Sequence, residues 1–122
     1  MKTGSAVFDV NIGAVGVHAD TLWFAGDNGI AFFDPKTKQW RSFTQIRMQF
    51  FDIAFTPDLV WFATNKGLLK YDIQQNYWYL YTIRDGLASN RVYRIDVDDT
   101  DLWLSTDGGV TVFRWYRPGK TE

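Results

Sequence analysis

Cysteine is absent from the chain, and histidine occurs only once, at His18. The first absence excludes disulfides, zinc–thiolate sites and cysteine nucleophiles, because each of them needs a cysteine sulfur. The second excludes a metal site built from several histidines of one chain. The sequence therefore predicts no catalytic set of residues and no metal site, and we expect no cofactor.

Excess charge and long apolar runs are also missing. The 13 Lys and Arg residues nearly balance 14 Asp and Glu residues, which leaves a net charge of −1 and no overall attraction to nucleic acid or to anionic membranes. No apolar run approaches the roughly 20 residues of a membrane-spanning helix, and the first residues lack the apolar core of a signal peptide. We therefore expect a soluble chain that binds neither nucleic acid nor membrane.

What the chain does have is aromatic residues and an internal repeat. Aromatic residues make up 18% of the sequence, and such residues favour β-strands. Three tryptophans, Trp23, Trp61 and Trp103, lie 38 and 42 residues apart, and each is followed six positions later by a glycine. Apolar residues recur eleven, eight and six positions before each tryptophan. A period of about 40 residues is typical of solenoids and propellers.

Each repeat predicts four antiparallel strands. The tryptophan strand is apolar on both faces and must therefore be covered on both sides. The Asn28-Gly29 pair and its counterparts can supply positive φ angles for a two-residue hairpin turn, and residues 34–37, Asp-Pro-Lys-Thr, predict a type I turn. A fourth strand is predicted at 40–44 and again at 78–82. Four-stranded sheets packed face to face are the blades of a β-propeller.

The predicted organisation is therefore all-β, with one repeat domain over residues 1–122. Blade 1 is expected at about 11–44, blade 2 at about 49–82 and blade 3 at about 91–117. The acidic stretch at 96–101 aligns with turns between the first and second strands of the other repeats, so we interpret it as a turn and not as a calcium site.

The third repeat resembles the two-component regulator propeller repeats. The similarity is carried by residues 85–92, Asp-Gly-Leu-Ala-Ser-Asn-Arg-Val, then by Leu102-Trp103 and by residues 106–110, Thr-Asp-Gly-Gly-Val. With its weaker copies, the resemblance covers nearly the whole chain. It implies a sensory or ligand-recognising propeller in the periplasm or outside the cell, and it specifies the fold better than the function.

The third repeat ends before a fourth strand, whereas residues 5–10, Ser-Ala-Val-Phe-Asp-Val, have strand composition and belong to no complete repeat. Three blades are too few for a ring, since propellers have roughly four to eight. We therefore expect a homodimer of six blades, in which residues 5–10 of each chain complete the partner's third blade. A fragment of a longer propeller is the alternative.

The candidate ligand-binding residues lie on the connectors into the innermost strands and in the most aromatic stretch. Connectors expose variable polar side chains on a rigid scaffold, and arginines suit a carboxylate, a phosphate or a sugar hydroxyl. Two tyrosines without aromatic counterparts in the other repeats suit sugar stacking, with blade packing as the alternative. The candidates are Arg47, Gln49, Arg84, Asn90, Arg91, Arg94, Tyr77 and Tyr79.

The function expected from these features is non-catalytic recognition or assembly, with a small molecule or a sugar as the possible ligand. Asn90, like Asp85, also has a structural interpretation as a residue that holds a turn, and for Asp85 we favour it. The alternative function is a propeller enzyme such as a lyase or a glycosidase.

Overall fold

The computed structural model describes residues 12–27, 29–43 and 45–115, and these residues form antiparallel β-sheets as expected. The chain divides into two compact units, Met1–Phe50 and Phe51–Glu122. The strands are β1 Ile12–His18, β2 Thr21–Gly26, β3 Gly29–Asp34, β4 Gln39–Phe43, β5 Phe50–Thr56, β6 Leu59–Thr64, β7 Gly67–Asp72, β8 Tyr77–Tyr81, β9 Val92–Val97, β10 Asp101–Thr106 and β11 Gly109–Arg114.

The first unit contains one four-stranded sheet in the order β1-β2-β3-β4. Its second strand, β2, carries Trp23, whose ring centroid lies 4.5 Å from that of Phe32 on β3. Trp23 and Ile30 are buried. The fourth strand begins one residue earlier than the predicted 40–44, because Gln39 already pairs with Asp34.

The second unit contains two sheets packed on each other. The second sheet has the order β5-β6-β7-β8, and the third sheet has three described strands in the order β11-β10-β9. One face of β6 meets the third sheet, and the opposite face is also buried, through Val60 and Phe62. The predicted β-propeller blades are confirmed by these sheets. The buried core between the second and third sheets consists of Ala54, Trp61, Ala63, Leu68, Leu87, Val92, Ile95, Leu102 and Leu104.

The hairpins that follow the tryptophan strands share one turn geometry. Thr64 pairs with Gly67, so the two loop residues are Asn65 and Lys66, and the glycine with φ of +139° is the first residue of the returning strand. The Thr64 hydroxyl donates to the Gly67 carbonyl and accepts from the Lys66 amide. The predicted positive φ angle is confirmed at the glycine, whereas Lys66, the other residue of the predicted pair, does not have one.

Glycine is required at this position for a second reason. A Cβ on Gly67 would overlap the carbonyl oxygen of Tyr81 on β8. The same turn recurs in the third sheet, where Thr106 pairs with Gly109, whose φ is +118°. The recurrence explains why the threonine and the glycine keep a fixed spacing in these two repeats.

An indole hydrogen bond closes the first hairpin of the second and third sheets. Trp61 Nε1 donates to Thr56 Oγ1 at 2.9 Å, and Trp103 Nε1 donates to Asp98 Oδ2 at 2.9 Å. In both cases the acceptor lies five residues before the tryptophan, at the end of the first strand or just beyond it. Asp98 Oδ1 also accepts from the Thr100 amide, which confirms the predicted turn in the acidic stretch.

The hydrogen bonds to Asp98 can be tested by measuring the pKa of its carboxyl group. The hydrogen bond from the Trp103 indole, followed by those from the Thr100 and Asp101 amides, lowers the pKa of Asp98 below its ordinary value. A carboxyl whose pKa is depressed by folding stabilises the fold above its unfolded-state pKa and loses that contribution as the pH falls through the folded-state pKa. NMR titration of Asp98 should therefore give a low pKa that rises in Trp103→Phe. An unchanged pKa in Trp103→Phe would contradict the assignment of the indole as the main cause.

One carboxylate joins the innermost strands of the second and third sheets. Asp52 on β5 accepts from its neighbour Ile53 through Oδ1 and from the Ile95 amide on β9 through Oδ2, both at 2.9 Å. The repeat pattern did not predict this bond, because the position nine residues before the tryptophan is Ala14 in the first repeat and Arg94 in the third.

Removing this carboxylate should destabilise the second unit. We expect Asp52→Ala to lower the free energy of unfolding by about 1–3 kcal/mol, because two amides lose a charged acceptor in a partly buried place. The matched control is Asp96→Ala, which removes an exposed carboxylate lying 3.6 Å from Arg94 Nη2 and should cost less than about 1 kcal/mol. Urea unfolding measures both values, and equal losses would show that the Asp52 bond does not hold the strands together.

Candidate functional site

The third sheet has an exposed apolar face on the side away from the second sheet. Trp103 is 45% exposed, Val110 66% and Val112 50%. The three side chains share one face, because Trp103 pairs with Val112 and Ser105 pairs with Val110 across β10 and β11. We call these three residues the Trp103 face.

The positions equivalent to Trp103 and Val110 are buried in the other two sheets. Trp23 is 2% exposed and Trp61 is 1% exposed, although both occupy the position of Trp103 in their repeats. Ile30 and Leu68, which correspond to Val110, are fully buried. In the second unit, the third sheet covers Trp61. Trp103 and Val110 therefore occupy positions that are buried in the other two sheets, without a covering sheet among the described residues. The same face of the third sheet also carries the ion pair of Arg94 and Asp96 on β9, since Asp96 pairs with Trp103.

A second exposed apolar face lies on the first sheet. Val15, Val17 and Trp40 are 58%, 62% and 43% exposed. The strand register places them on one face of the sheet. Val15 and Val17 on β1 pair with Phe24 and Leu22 on β2. Leu22 pairs with Phe33 on β3, and Phe33 pairs with Trp40 on β4. We call Val15, Val17 and Trp40 the Val15 face. Residues equivalent to Leu22 and Phe24 are fully buried in both other sheets.

The second unit also contains an aromatic groove between strands β7 and β8 of the second sheet and strand β11 of the third. It consists of two adjoining cavities of about 400 and 270 Å³ that share Lys70, Asp72 and Tyr81. We call it the tyrosine groove. Its other lining residues are Leu59, Trp61, Asp85, Phe113, Arg114 and Trp115 in the larger cavity and Gln75, Tyr77 and Tyr79 in the smaller one.

The predicted residues Tyr77 and Tyr79 lie together in this groove. Both side chains are exposed, and the Tyr79 hydroxyl donates to Asp85 Oδ1 at 3.3 Å. The nearby Asp85 carboxylate raises the pKa of Tyr79 above its ordinary value. The Tyr79 and Tyr81 rings meet edge to face at 4.5 Å, and Lys70 Nζ lies 5.4 Å from the Tyr81 ring centroid. The groove therefore offers aromatic surface beside both signs of charge, and sugar binding by the two tyrosines stays a prediction.

The connector after β8 is held by its own polar side chains. It opens with a single 3-10 turn, Ile83–Asp85, which the sequence did not predict. Asp85 Oδ2 accepts from the Thr82 amide, and Asn90 Oδ1 accepts from the Ile83 amide at 2.8 Å. The structural interpretation of Asp85 is thus confirmed. Asn90 is engaged in the same way, whereas the Arg84 side chain is exposed.

The remaining predicted arginines do not line the tyrosine groove. Arg91 Nε donates to the Tyr93 hydroxyl at 2.9 Å, and its guanidinium lies 5.6 Å from the Phe51 ring centroid. Arg94 faces Asp96 on the exposed part of β9. Arg47 and Gln49 are exposed residues of the first unit. Of the eight predicted residues, Tyr77 and Tyr79 share a cavity of the tyrosine groove.

Sequence reasoning missed the Trp103 and Val15 faces. The signal was available in part, because a strand that is apolar on both faces needs a covering sheet on each side. In the part of the chain that the structure describes, no cluster of three or more metal-ligating side chains occurs. Among the same residues, no helix is long and apolar enough to cross a bilayer.

Comparison with known proteins supports the fold. No family model matches the chain, and no curated relative matches it. Among solved structures, the chain is similar to PorZ, a surface component of the type-IX secretion system of Porphyromonas gingivalis, with a TM-score of 0.74 and 18% identity. The similarity covers 91% of this chain and 18% of PorZ.

Two further similar structures come from B. thetaiotaomicron. The first is the extracellular domain of the one-component system BT4673, with a TM-score of 0.73 and 19% identity; the similarity covers 92% of this chain and 16% of that one. The second is the extracellular domain of the hybrid two-component system BT3049, with a TM-score of 0.66 and 18% identity; the similarity covers 84% of this chain and 18% of that one. The chain thus spans less than a fifth of the length of each of these three proteins. At such identities the similarity concerns the fold, and it agrees with the regulator-type propeller fold that the third repeat implies.

Proposed function

We propose that this chain is a non-catalytic assembly module, in which two copies close one β-propeller ring. The Trp103 face of each copy packs against the Val15 face of the other, so that three blades from each chain form a ring of six. The observation that carries the proposal is the exposure of Trp103 at a position where Trp23 and Trp61 are buried. Contiguous exposed apolar patches of this kind mark interaction sites.

The contact inside the second unit supplies the template for the proposed interface. There, the Trp61 face of the second sheet is covered by Leu102 and Leu104 of the third. In the repeat alignment, Trp103 corresponds to Trp61, while Leu22 and Phe24 on the Val15 face correspond to Leu102 and Leu104. The interface between copies would therefore repeat a blade contact that the chain already makes internally.

The proposed contact does not depend on strand donation by residues 5–10, which lie outside the described residues. The connector from the outer strand of one sheet to the innermost strand of the next is formed by residues 44–49 between β4 and β5. Between β8 and β9 it is formed by residues 82–91. Only residue 11 separates the 5–10 segment from β1. An extended residue spans at most about 3.6 Å, and strands of one sheet are about 4.8 Å apart, so this spacing is short for crossing a four-stranded sheet.

A location outside the cytoplasm is part of the proposal. Two of the similar structures are extracellular domains, and PorZ is a bacterial surface component. The resemblance of the third repeat to regulator propellers points the same way. The absence of cysteine is compatible with either compartment, since a fold without disulfides does not depend on an oxidising environment.

The association state tests the proposal directly. Light scattering coupled to gel filtration should give twice the chain mass of 14.2 kDa. Trp103→Glu and Val15→Glu should each give monomers, because each substitution places a charge in both interfaces of a symmetric pair. Asp107→Ala, in an exposed turn outside both faces, is the control and should remain dimeric.

An equimolar mixture of the two variants adds a test of which face meets which. The Trp103 face of Val15→Glu and the Val15 face of Trp103→Glu are both intact, so the mixture should form a heterodimer through one good interface. If two Trp103 faces met each other instead, Val15→Glu alone would stay dimeric. That result would overturn the proposed contact, as would a monomeric wild-type chain.

Strand donation has its own measurement. Because the proposed interface uses sheet faces, a chain lacking residues 1–10 should keep the solution mass of a dimer. Dissociation of this shortened chain, with unchanged circular dichroism, would show instead that the N-terminal segment holds the two copies together.

A further inference from the structure

The edge of the third sheet differs from the corresponding positions of the other sheets. In the first and second sheets, the strand after the glycine hairpin pairs with a fourth strand, so that β3 pairs with β4 and β7 with β8. In the described residues, the equivalent strand β11 pairs only with β10. A row of backbone groups on an edge strand is a template for adding another strand.

An aromatic pair marks the position of the fourth strand in the two complete sheets. Trp40 lies opposite Phe33, with ring centroids 4.8 Å apart, and Trp78 lies opposite Tyr71 at 4.3 Å. The equivalent residue of the third sheet is Phe113. Its ring contacts the neighbouring sheet, at 4.8 Å from the ring centroid of Tyr81, and it lines the larger cavity of the tyrosine groove.

We propose that the tyrosine groove is a docking site for an extended segment of a second protein, which adds to β11 as the fourth strand of the third sheet. The segment places an aromatic side chain opposite Phe113, in the cavity of about 400 Å³. Main-chain hydrogen bonds along the edge provide affinity in this mode of binding, and pockets for alternate side chains provide specificity.

The complete sheets indicate the sequence that the site accepts. Both fourth strands have five residues, with tryptophan at the second position and a further aromatic residue three places later, Phe43 in β4 and Tyr81 in β8. Strand β11 has six residues and so offers an edge of sufficient length. We therefore expect the partner segment to carry the pattern Trp-x-x-aromatic.

The charges around the groove do not select for a strongly charged partner. Lys70 and Arg114 stand beside Asp72 and Asp85 in the larger cavity, so the two signs balance. The chain's own residues 5–10 fit the pattern poorly, because Phe8 has no aromatic residue three places later. These two facts favour a different polypeptide that supplies an aromatic strand.

A peptide of residues 38–44, Lys-Gln-Trp-Arg-Ser-Phe-Thr, is a soluble probe with the required pattern. A fluorescein-labelled copy should bind the full chain with saturable anisotropy, and its Trp40→Ala form should bind at least about tenfold more weakly, the scale of an aromatic anchor. Two N-methylated forms, each blocking alternate amides, separate strand addition from general apolar contact. One form should lose binding and the other should retain it, because an added strand uses only every second amide.

Variants of the chain locate the site. Tyr79→Ala should weaken binding of the peptide several-fold, whereas Tyr93→Ala should not, although the two tyrosines are similarly exposed at 38% and 36%. Tyr93 does not line the groove. Equal binding by both N-methylated peptides, equal loss in both variants, or no binding to a folded chain would overturn the proposal. The solution mass measured on the same samples reports separately on ring closure, so the two proposals fail independently.

Discussion

The structure depends on one constraint, which is that the tryptophan strands β2 and β6 are apolar on both faces. Such a strand is stable only when a sheet lies against each face. In the second sheet both faces of β6 are buried, through Trp61 and Ala63 on one side and Val60 and Phe62 on the other. The same requirement makes the exposed Trp103 and Val15 faces informative, because apolar side chains on a strand of this kind need a covering sheet.

The local structure follows closely from residue chemistry. The positive φ angles of Gly29, Gly67 and Gly109 were predictable, because glycine adopts such angles at no steric cost. The turn after β3 was predictable from Asp34, whose side chain accepts from the Lys36 amide. These features are decided within a few residues, so a short stretch of sequence is enough to predict them.

Features that depend on distant neighbours were not predictable in the same way. The Asp52 bond to Ile95 crosses 43 residues and has no counterpart in the other repeats. The exposure of Trp103 depends on how many sheets surround it, and its neighbours Leu102 and Leu104 are as apolar as the residues beside Trp61. For the predicted ligand residues, a connector sequence could not show that the Asn90 amide oxygen already accepts a hydrogen bond from Ile83.

The two apolar faces differ from each other, and this difference has a consequence for polymerisation. A contact between unlike surfaces is directional, so a bound pair still presents one free surface of each kind unless the rotation between copies closes the circle. In the proposed assembly, a rotation between copies that does not close the circle would let the same side chains build an open-ended filament. The twist of the sheets, set by ordinary strand geometry, would then decide whether the protein stays in solution or grows into fibres.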